Sequence, residues 1–247
     1  MESNVIDTSC LTRGRLDCKV LRMESPHLFW IRLKTGESSL KELMEELGFR
    51  MNRKSSTLIC WPHLVKINLA VAIKEGDIWH RGIVTAVGRI QGIARVSLRD
   101  EGREVWRRFN ELYILEDRFQ ELPWQALTCG LAYTGPTVPT LVWSKKIRAL
   151  CQILAEEQEG YLKIIHPLPD GAALIKLVIS YENGYMQLNL RDALVNLGYA
   201  RIDKRIAVNI YPSVEINKCN HKIIQNTLTT DNTSNSFQEK PLQFHFN

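Results

Sequence analysis

The sequence predicts a mainly β protein with a few helices, an α+β fold centred on a small antiparallel barrel. Short apolar runs separated by tight-turn residues recur between residues 64 and 122, at the roughly ten-residue spacing of a small barrel. The segment WSKKIRALCQILAEE, residues 143–157, has apolar residues at helical spacing. Hydrophobic residues make up 45% of the 247-residue chain, which is enough for a sizeable core.

Two strands and a helix are predicted before the barrel. The runs CKVLRM and HLFWIRL, separated by a proline turn, predict the strands. A helix is predicted to begin at Ser38, because Leu40, Met44 and Leu47 recur at helical spacing. We expect Gly48 to end this helix, since glycine is a frequent C-terminal cap.

The barrel strands are predicted from VKINLAVAI, IWHRGIVTAVG, IARVSLR and GREVWRRFNELYIL, with turns at EGD and DEG. The segment FQELPWQALTCGLAY then predicts a further strand after a proline stop. Beyond helix 143–157, ALIKLVISY and YMQLN predict a hairpin with Asn183-Gly184 in its turn. The segment LRDALVNLGYA predicts a short last helix, and the polar composition of residues 215–247 predicts a disordered tail.

Composition and charge narrow the function classes. The six cysteines and six histidines are scattered without metal-ligand spacing, so we expect no metal, no cofactor and no catalytic centre. The net charge of +5 is too small to indicate nucleic acid binding by itself. No apolar run approaches the ~18 residues of a membrane helix, so we expect a cytoplasmic protein with no membrane partner.

Residues 67–122 resemble a Tudor domain. The motif VAI…DIWHRGIV stands where that family has a Trp-Tyr-Arg-Ala-like strand, and RVSLRDEGREV stands where it has a Val-x-Phe-Ile-Asp-Tyr-Gly-Asn-like strand and turn. The flanking segments SPHLFWIRL, FQELPWQALTCGL and LVNLGYA resemble the extended Tudor module. In that module a Tudor barrel is inserted into a staphylococcal-nuclease-like OB fold.

The resemblance implies a division of the chain. An extended Tudor module would occupy residues 11–210, with the Tudor core at 64–122. The nuclease-like OB barrel would be built from residues 11–63 and 123–210. Helix 143–157 would be the long helix that joins the two barrels.

The resemblance also implies a binding site. Extended Tudor domains bind methylated arginine, chiefly in the arginine-glycine tails of Piwi-family proteins, within a cage of aromatic rings that contribute about 0.5–2 kcal/mol each. The cage-equivalent positions in this chain are Ile73, His80, Leu98, Asp100, Glu101 and Arg103. None is Phe, Tyr or Trp, so the cage is degenerate. We expect the surrounding groove to be lined by Lys74–Ile78, Arg99–Arg103 and the Trp143 helix.

Three functions follow as hypotheses. The first is a non-catalytic scaffold of the piRNA pathway that silences transposons, in cytoplasmic or perinuclear germ granules (nuage). It would bind arginine-rich tails of Piwi-family proteins, or another Tudor protein, without strict dependence on methylarginine. The second is a single-stranded RNA-binding module with Trp30, Trp61 and Trp106 as stacking platforms. The third is a conventional reader of symmetric dimethylarginine. A nuclease is disfavoured, because the strands that would hold its calcium-binding carboxylates are nearly free of acids.

Overall fold

A computed structural model describes residues 4–137, 142–181 and 184–203. Its strands are β1 Leu16–Ser25, β2 Leu28–Leu33, β3 Ala70–Glu75, β4 Ile78–Gly88, β5 Ile93–Leu98, β6 Arg103–Arg108, β7 Tyr113–Ile114, β8 Ala126–Leu131, β9 Thr134–Pro136, β10 Glu159–Pro167, β11 Ala173–Tyr181, β12 Met186–Asn189 and β13 Ala200–Ile202. Its helices are α1 Glu37–Lys54, α2 Lys145–Ala155 and α3 Leu190–Asn196. The predicted tail, the end of the predicted module at 204–210 and Asn183 lie outside the described residues.

Strands β3 to β7 form a five-stranded antiparallel barrel in the order β6-β5-β4-β3-β7. Alternate residues of its strands face inward, and the innermost include Val71, Ile73, Val84, Val96 and Leu98. This period-two burial is what the alternating sequence pattern predicts. The prediction of a mainly β fold built on a small antiparallel barrel is therefore confirmed.

The second sheet has six strands in the order β10-β1-β2-β8-β11-β12, and β10 also pairs with β11. That extra pairing closes five of the strands into a second barrel. Helix α2 packs on β1, and its residues Ile147, Cys151 and Ala155 are buried in this core. The Ser144 hydroxyl caps the helix by accepting a hydrogen bond from the Ile147 N–H.

Strand β10 is absent from the sequence prediction. Its buried residues Gly160, Leu162 and Ile164 do alternate. Glycine contributes no apolar side chain, however, and Ile165 follows Ile164 directly, so the two-residue period is weak in the sequence. Pairing with β1 on one side and β11 on the other fixes the segment as a strand.

Helix α1 does not end at Gly48, as we expected, but continues to Lys54. Leu47 and Met51, on either side of Gly48, are buried against the first barrel with Trp79 and Phe119. This packing stabilises helical backbone through a glycine that favours termination in isolation. The expected glycine cap is therefore corrected by a tertiary contact.

The prediction of which helix links the two sheets is also corrected. Helix α1 follows β2 and precedes β3, so it is α1 that connects the sheets along the chain. Helix 143–157, to which we assigned this role, packs within the core of the six-stranded sheet. None of the described helices combines the length and the apolar character that a membrane span requires.

Candidate functional site

The turn between β5 and β6 contains a buried carboxylate, Asp100. One oxygen, Oδ2, accepts a hydrogen bond from Arg81 Nε at 2.6 Å. The other, Oδ1, accepts from Arg81 Nη2 at 3.0 Å and from the Gln125 backbone N–H at 2.9 Å. The Arg81 side chain is 0% exposed and that of Asp100 is 6% exposed.

Arg81 uses its remaining donors on the segment that follows the barrel. Its Nη1 donates to the carbonyls of Phe119 and Leu122, each at 2.8 Å, and its Nη2 donates to that of Pro123 at 3.0 Å. The guanidinium also lies 4.5 Å from the centre of the Trp124 ring. The motifs WHR, DEG and LPWQ thus meet in one buried network.

Asp100 is consequently a poor ligand for a peptide cation, although the resemblance implied that role. Three internal donors occupy its two oxygens and its side chain is 6% exposed, so most of its accepting capacity is used within the protein. Sequence reasoning did not identify Arg81 as its partner. The sequence does contain a signal for this pairing. Arg81 lies two residues after Trp79 and so shares its strand face, and an arginine on a buried face needs a buried acceptor.

Gly102 places the same turn against the second sheet. Its φ is +67°, and a Cβ added there would lie 2.3 Å from the Trp30 Cβ atom. Arg32, also on β2, donates from Nη2 to the Asp100 carbonyl at 2.5 Å. Any side chain at Gly102 would push the turn away from β2.

A group of charged residues closes one mouth of the first barrel, and we call it the mouth network: Glu75, His80, Glu101, Arg103 and Arg107. Arg103 Nε donates to Glu101 Oε2 at 2.6 Å. The guanidiniums of Arg103 and Arg107 both contact Glu75, and His80 Nδ1 contacts the Glu101 carboxylate. The network ties β3 and β4 to β6 and its preceding turn.

The network shifts the pKa values of Glu75, Glu101 and Arg103. Hydrogen bonding by Arg103 lowers the pKa of Glu75, and burial only partly opposes this. Burial would raise the pKa of Glu101, but the contacts with His80 and Arg103 outweigh it, so the pKa is lowered. Burial likewise disfavours the charged form of Arg103, yet hydrogen bonds to Glu75 and Glu101 raise its pKa. Both carboxylates are therefore held in their charged form.

Ile73 and Leu98 lie beneath the mouth network and not in an open wall. Ile73 is directly opposite His80 in the β3–β4 pair, and Leu98 is directly opposite Arg103 in the β5–β6 pair. Opposed residues share a face of the sheet. Ile73 and Leu98 are 0% and 1% exposed, so they form the core layer under the network, and their expected role at a ligand is corrected.

A groove of about 370 Å³ runs between the first half of α1 and the barrel. Its lining consists of Arg32, Glu37, Leu40, Lys41, Met44, Ile78, His80, Asp100 and Glu101. Of the predicted cage-equivalent positions, His80 and Glu101 bring side chains that are not committed to the core. The apolar part comes from Leu40, Met44 and Ile78. Ile78 lies in the expected Lys74–Ile78 lining, whereas Leu40 and Met44 were recognised as helical but not predicted at the site.

The expected contribution of the Trp143 helix to this groove is also corrected. Trp143 is 5% exposed and stacks edge-on against His27, with 4.9 Å between ring centres. It lies in the core of the six-stranded sheet. The helical wall of the groove is α1, because α1 is the element that packs on the first barrel.

The described residues contain no cluster of metal ligands, and two of their buried thiols are held in the protonated form. No three His, Cys, Asp or Glu side chains among them are placed to hold a metal ion. Burial raises the pKa of Cys18 and of Cys151 to about 12, so these thiols are protonated near neutral pH. The groups that the groove presents to a ligand include apolar side chains, a histidine and carboxylates.

A family model described as "Tudor domain" matches residues 14–133. This part of the chain is similar to Tudor domains, and the fold of the described residues is that of extended Tudor domains. Extended Tudor domain TD3 of mouse TDRD1, solved in complex with a dimethylarginine-containing MILI peptide, aligns with a TM-score of 0.70 at 18% identity, over 82% of this chain and 99% of that one. The extended Tudor domain of Drosophila melanogaster Papi aligns with a TM-score of 0.67 at 18% identity, over 76% and 99%.

Among full-length proteins, the chain is similar to RING finger protein 17. The human protein is 27% identical over 184 residues and the mouse protein 25% identical over 183 residues. These alignments cover 73% of this chain but 11% of each relative. The chain thus spans about a tenth of the length of the curated relatives it matches.

Proposed function

We propose that this module is a non-catalytic scaffold that binds an arginine-containing peptide in the α1 groove, without dependence on arginine methylation. The observation that carries the proposal is the composition of the groove. Its nine lining residues combine an apolar stretch with carboxylates and include no Phe, Tyr or Trp. A site of this kind has no aromatic ring faces that would favour binding of a methylated guanidinium.

The groove suits an unmodified arginine side chain. Its aliphatic stem would lie along Leu40, Met44 and Ile78, of which Ile78 is 61% exposed. Its head would reach Glu101, where it shares the carboxylate with Arg103, or Glu37 at the rim. Charge-assisted hydrogen bonds from a guanidinium to a carboxylate are roughly twice as strong as neutral ones, and methylation removes their N–H donors.

Related structures support a peptide as the ligand class. Human TDRD1 was solved with a symmetrically dimethylated E2F peptide, and a variant of the Papi domain with a Piwi N-terminal R10-unme peptide. We propose for this chain the arginine-rich tail of a Piwi-family protein, or another Tudor protein, as partner. The setting proposed is a cytoplasmic germ granule of the piRNA pathway.

A paired titration tests the dependence on methylation. One arginine-glycine peptide, unmodified and symmetrically dimethylated, is titrated into the protein by calorimetry. We expect the two dissociation constants to agree within about threefold, since the groove has no aromatic ring that could contribute the roughly 0.5–2 kcal/mol of cation–π attraction on which an aromatic cage depends. Tighter binding of the dimethylated peptide by tenfold or more would establish a conventional methylarginine reader instead.

Two variants locate the site. Glu101→Gln should weaken binding of the unmodified peptide at least tenfold, because a hydrogen bond to a charged group contributes roughly 1.5–3 kcal/mol and about 1.4 kcal/mol corresponds to tenfold. Ile78→Ser should weaken it several-fold without disturbing the mouth network. Glu104→Gln, a carboxylate on β6 that pairs with Arg95 away from the groove, is the matched control. Equal losses for Glu101→Gln and Glu104→Gln would place the peptide elsewhere.

A further inference from the structure

The chain from Leu47 to Lys74 contains no acidic residue. These 28 positions carry five Lys or Arg residues and His63, in a protein whose net charge is only +5. The segment covers the last two turns of α1, the connection to β3 and most of β3 itself. Its charge is therefore of one sign, in contrast to the mixed charges of the mouth network.

The same segment exposes large apolar side chains. Phe49 and Trp61 are each 65% exposed, and Leu64 and Ile67 are 42% and 43% exposed. The guanidinium of Arg53 lies 5.1 Å from the centre of the Phe49 ring. Exposed aromatic rings interleaved with cations are typical of surfaces that stack bases and contact phosphates.

The cations of this segment are largely uncompensated. Arg50 pairs with Glu116 and Lys74 with Asp77, but Arg53, Lys54 and Lys66 form no salt bridge within the described ranges. Arg53 and Lys54 complement the negative end of the α1 dipole, which is a structural role. That role does not extend to Lys66 or to Trp61, both of which lie beyond the helix.

We propose that this basic–aromatic surface, comprising Phe49, Arg53, Lys54, Trp61, His63 and Lys66, binds a single-stranded polynucleotide. The positive, acid-free segment complements the phosphates, and the two rings offer π faces to the bases. An acidic peptide would use the cations but would leave both rings unengaged. The surface is separate from the peptide groove: Phe49 lies five residues beyond Met44, the last α1 residue of the groove, which is about 7.5 Å along the helix and about 140° around it.

The test is fluorescence anisotropy of labelled 20-nucleotide oligouridine and oligodeoxythymidine with the whole chain. Three phosphate contacts predict that affinity falls about 20-fold between 50 and 200 mM salt. Tighter binding of oligouridine would identify RNA as the preferred ligand. Equal binding of the two oligonucleotides would show that the surface binds single-stranded RNA and DNA alike. Binding of neither oligonucleotide at 50 mM salt would overturn the proposal.

Two matched pairs of variants locate the contact. Lys54→Glu with Lys66→Glu should weaken binding at least tenfold and flatten the salt dependence. Lys145→Glu with Arg148→Glu, on the exposed start of α2, changes the net charge equally and should have little effect. Trp61→Ala should cost about tenfold, whereas Trp106→Ala removes a ring that is 53% exposed on β6 and should cost less than twofold.

Thermal melting of each variant confirms that the fold is retained. Equal losses from the two double variants, or from the two tryptophan variants, would show non-specific attraction and overturn the site. Poly-glutamate that displaces oligouridine at equal charge concentration would assign the surface to acidic polypeptides, again against the proposal. Binding of the arginine-glycine peptide should be unchanged in Trp61→Ala, which separates this surface from the groove.

Discussion

Arg81 and Asp100 form an ion pair that is almost entirely closed to water. Burial of two charges is costly unless every donor and acceptor is satisfied. Here the guanidinium makes two hydrogen bonds to the carboxylate and three to backbone carbonyls, and the carboxylate accepts a further backbone N–H. The pair therefore fixes the β5–β6 turn and the segment after the barrel in one arrangement.

Asp100→Ala should lower the free energy of unfolding by about 3–5 kcal/mol, because it leaves the Arg81 charge buried without a partner. Chemical denaturation followed by circular dichroism measures this. Glu104→Ala breaks the pair with Arg95, whose side chains are 32% and 39% exposed, and should cost less than about 1 kcal/mol. Equal costs for the two substitutions would contradict the structural role of Asp100.

At the scale of elements, α1 depends on the barrel for its full length. Gly48 lies in its interior, where a Cβ would meet no atom within 4 Å. Glycine in a helix interior is destabilising by roughly 0.5–1 kcal/mol relative to alanine. The helix continues because Leu47 and Met51 bury their side chains around it.

Gly48→Ala should therefore raise the free energy of unfolding by roughly 0.5–1 kcal/mol. Gly198, which follows α3, has a φ of +71°, so Gly198→Ala should lower it by a comparable amount. Thermal melts of the two variants check both signs. A destabilised Gly48→Ala variant would support the glycine cap that we expected from the sequence.

The mouth network makes the barrel sensitive to acid. The pKa values of Glu75 and Glu101 are lowered in the folded protein, so their contribution is fully present above the unfolded-state pKa of about 4.3. It is lost as the pH falls below that value through the folded pKa values. The free energy of unfolding should thus decline below about pH 4.3 as both carboxylates take up protons.

The double variant Glu75→Gln with Glu101→Gln should flatten that decline. Denaturation curves measured between about pH 3 and 6 would reveal this, because that range brackets the ordinary pKa of glutamate, about 4.3. Glu42→Gln, at an exposed position on α1, is the single-site control and should leave the decline unchanged. An unaltered pH profile in the double variant would show that the network contributes no pH-dependent stability.

At the scale of the whole molecule, the first barrel is completed by segments outside it. Leu47 and Met51 of α1 cover Trp79, Trp30 of β2 supports Gly102, and the Gln125 N–H satisfies Asp100. The four supporting residues, Leu47, Met51, Trp30 and Gln125, all lie outside the predicted Tudor core of residues 64–122. The first barrel therefore depends on buried contacts with residues on both sides of its own sequence range.

Residues 64–122 expressed alone should show no cooperative unfolding transition, because Arg81 and Asp100 would lose backbone partners and the α1-facing surface would be bare. Residues 11–210 should unfold in a single transition, with tryptophan fluorescence and circular dichroism coinciding. Dispersed amide resonances from the short fragment would contradict this dependence.

Most of the fold follows from local patterns. The strands of the first barrel have period-two apolar residues, and the turn at Asp100–Gly102 has the residues that its backbone requires, so both were predictable. The resemblance to an extended Tudor domain is confirmed. The predicted boundaries of the module stay predictions, as does the role of His80 and Glu101 in binding.

The sequence by itself determined the strand pattern of the first barrel, the Tudor turn and the absence of aromatic rings at the cage positions, because residue types and periodicity are local properties. Only the tertiary structure decided where those side chains go. It buried Ile73 and Leu98, committed Asp100 to Arg81, extended α1 through Gly48 and made α1 the wall of the groove. Each outcome depends on partners distant in sequence, and packing between them outweighs local preference.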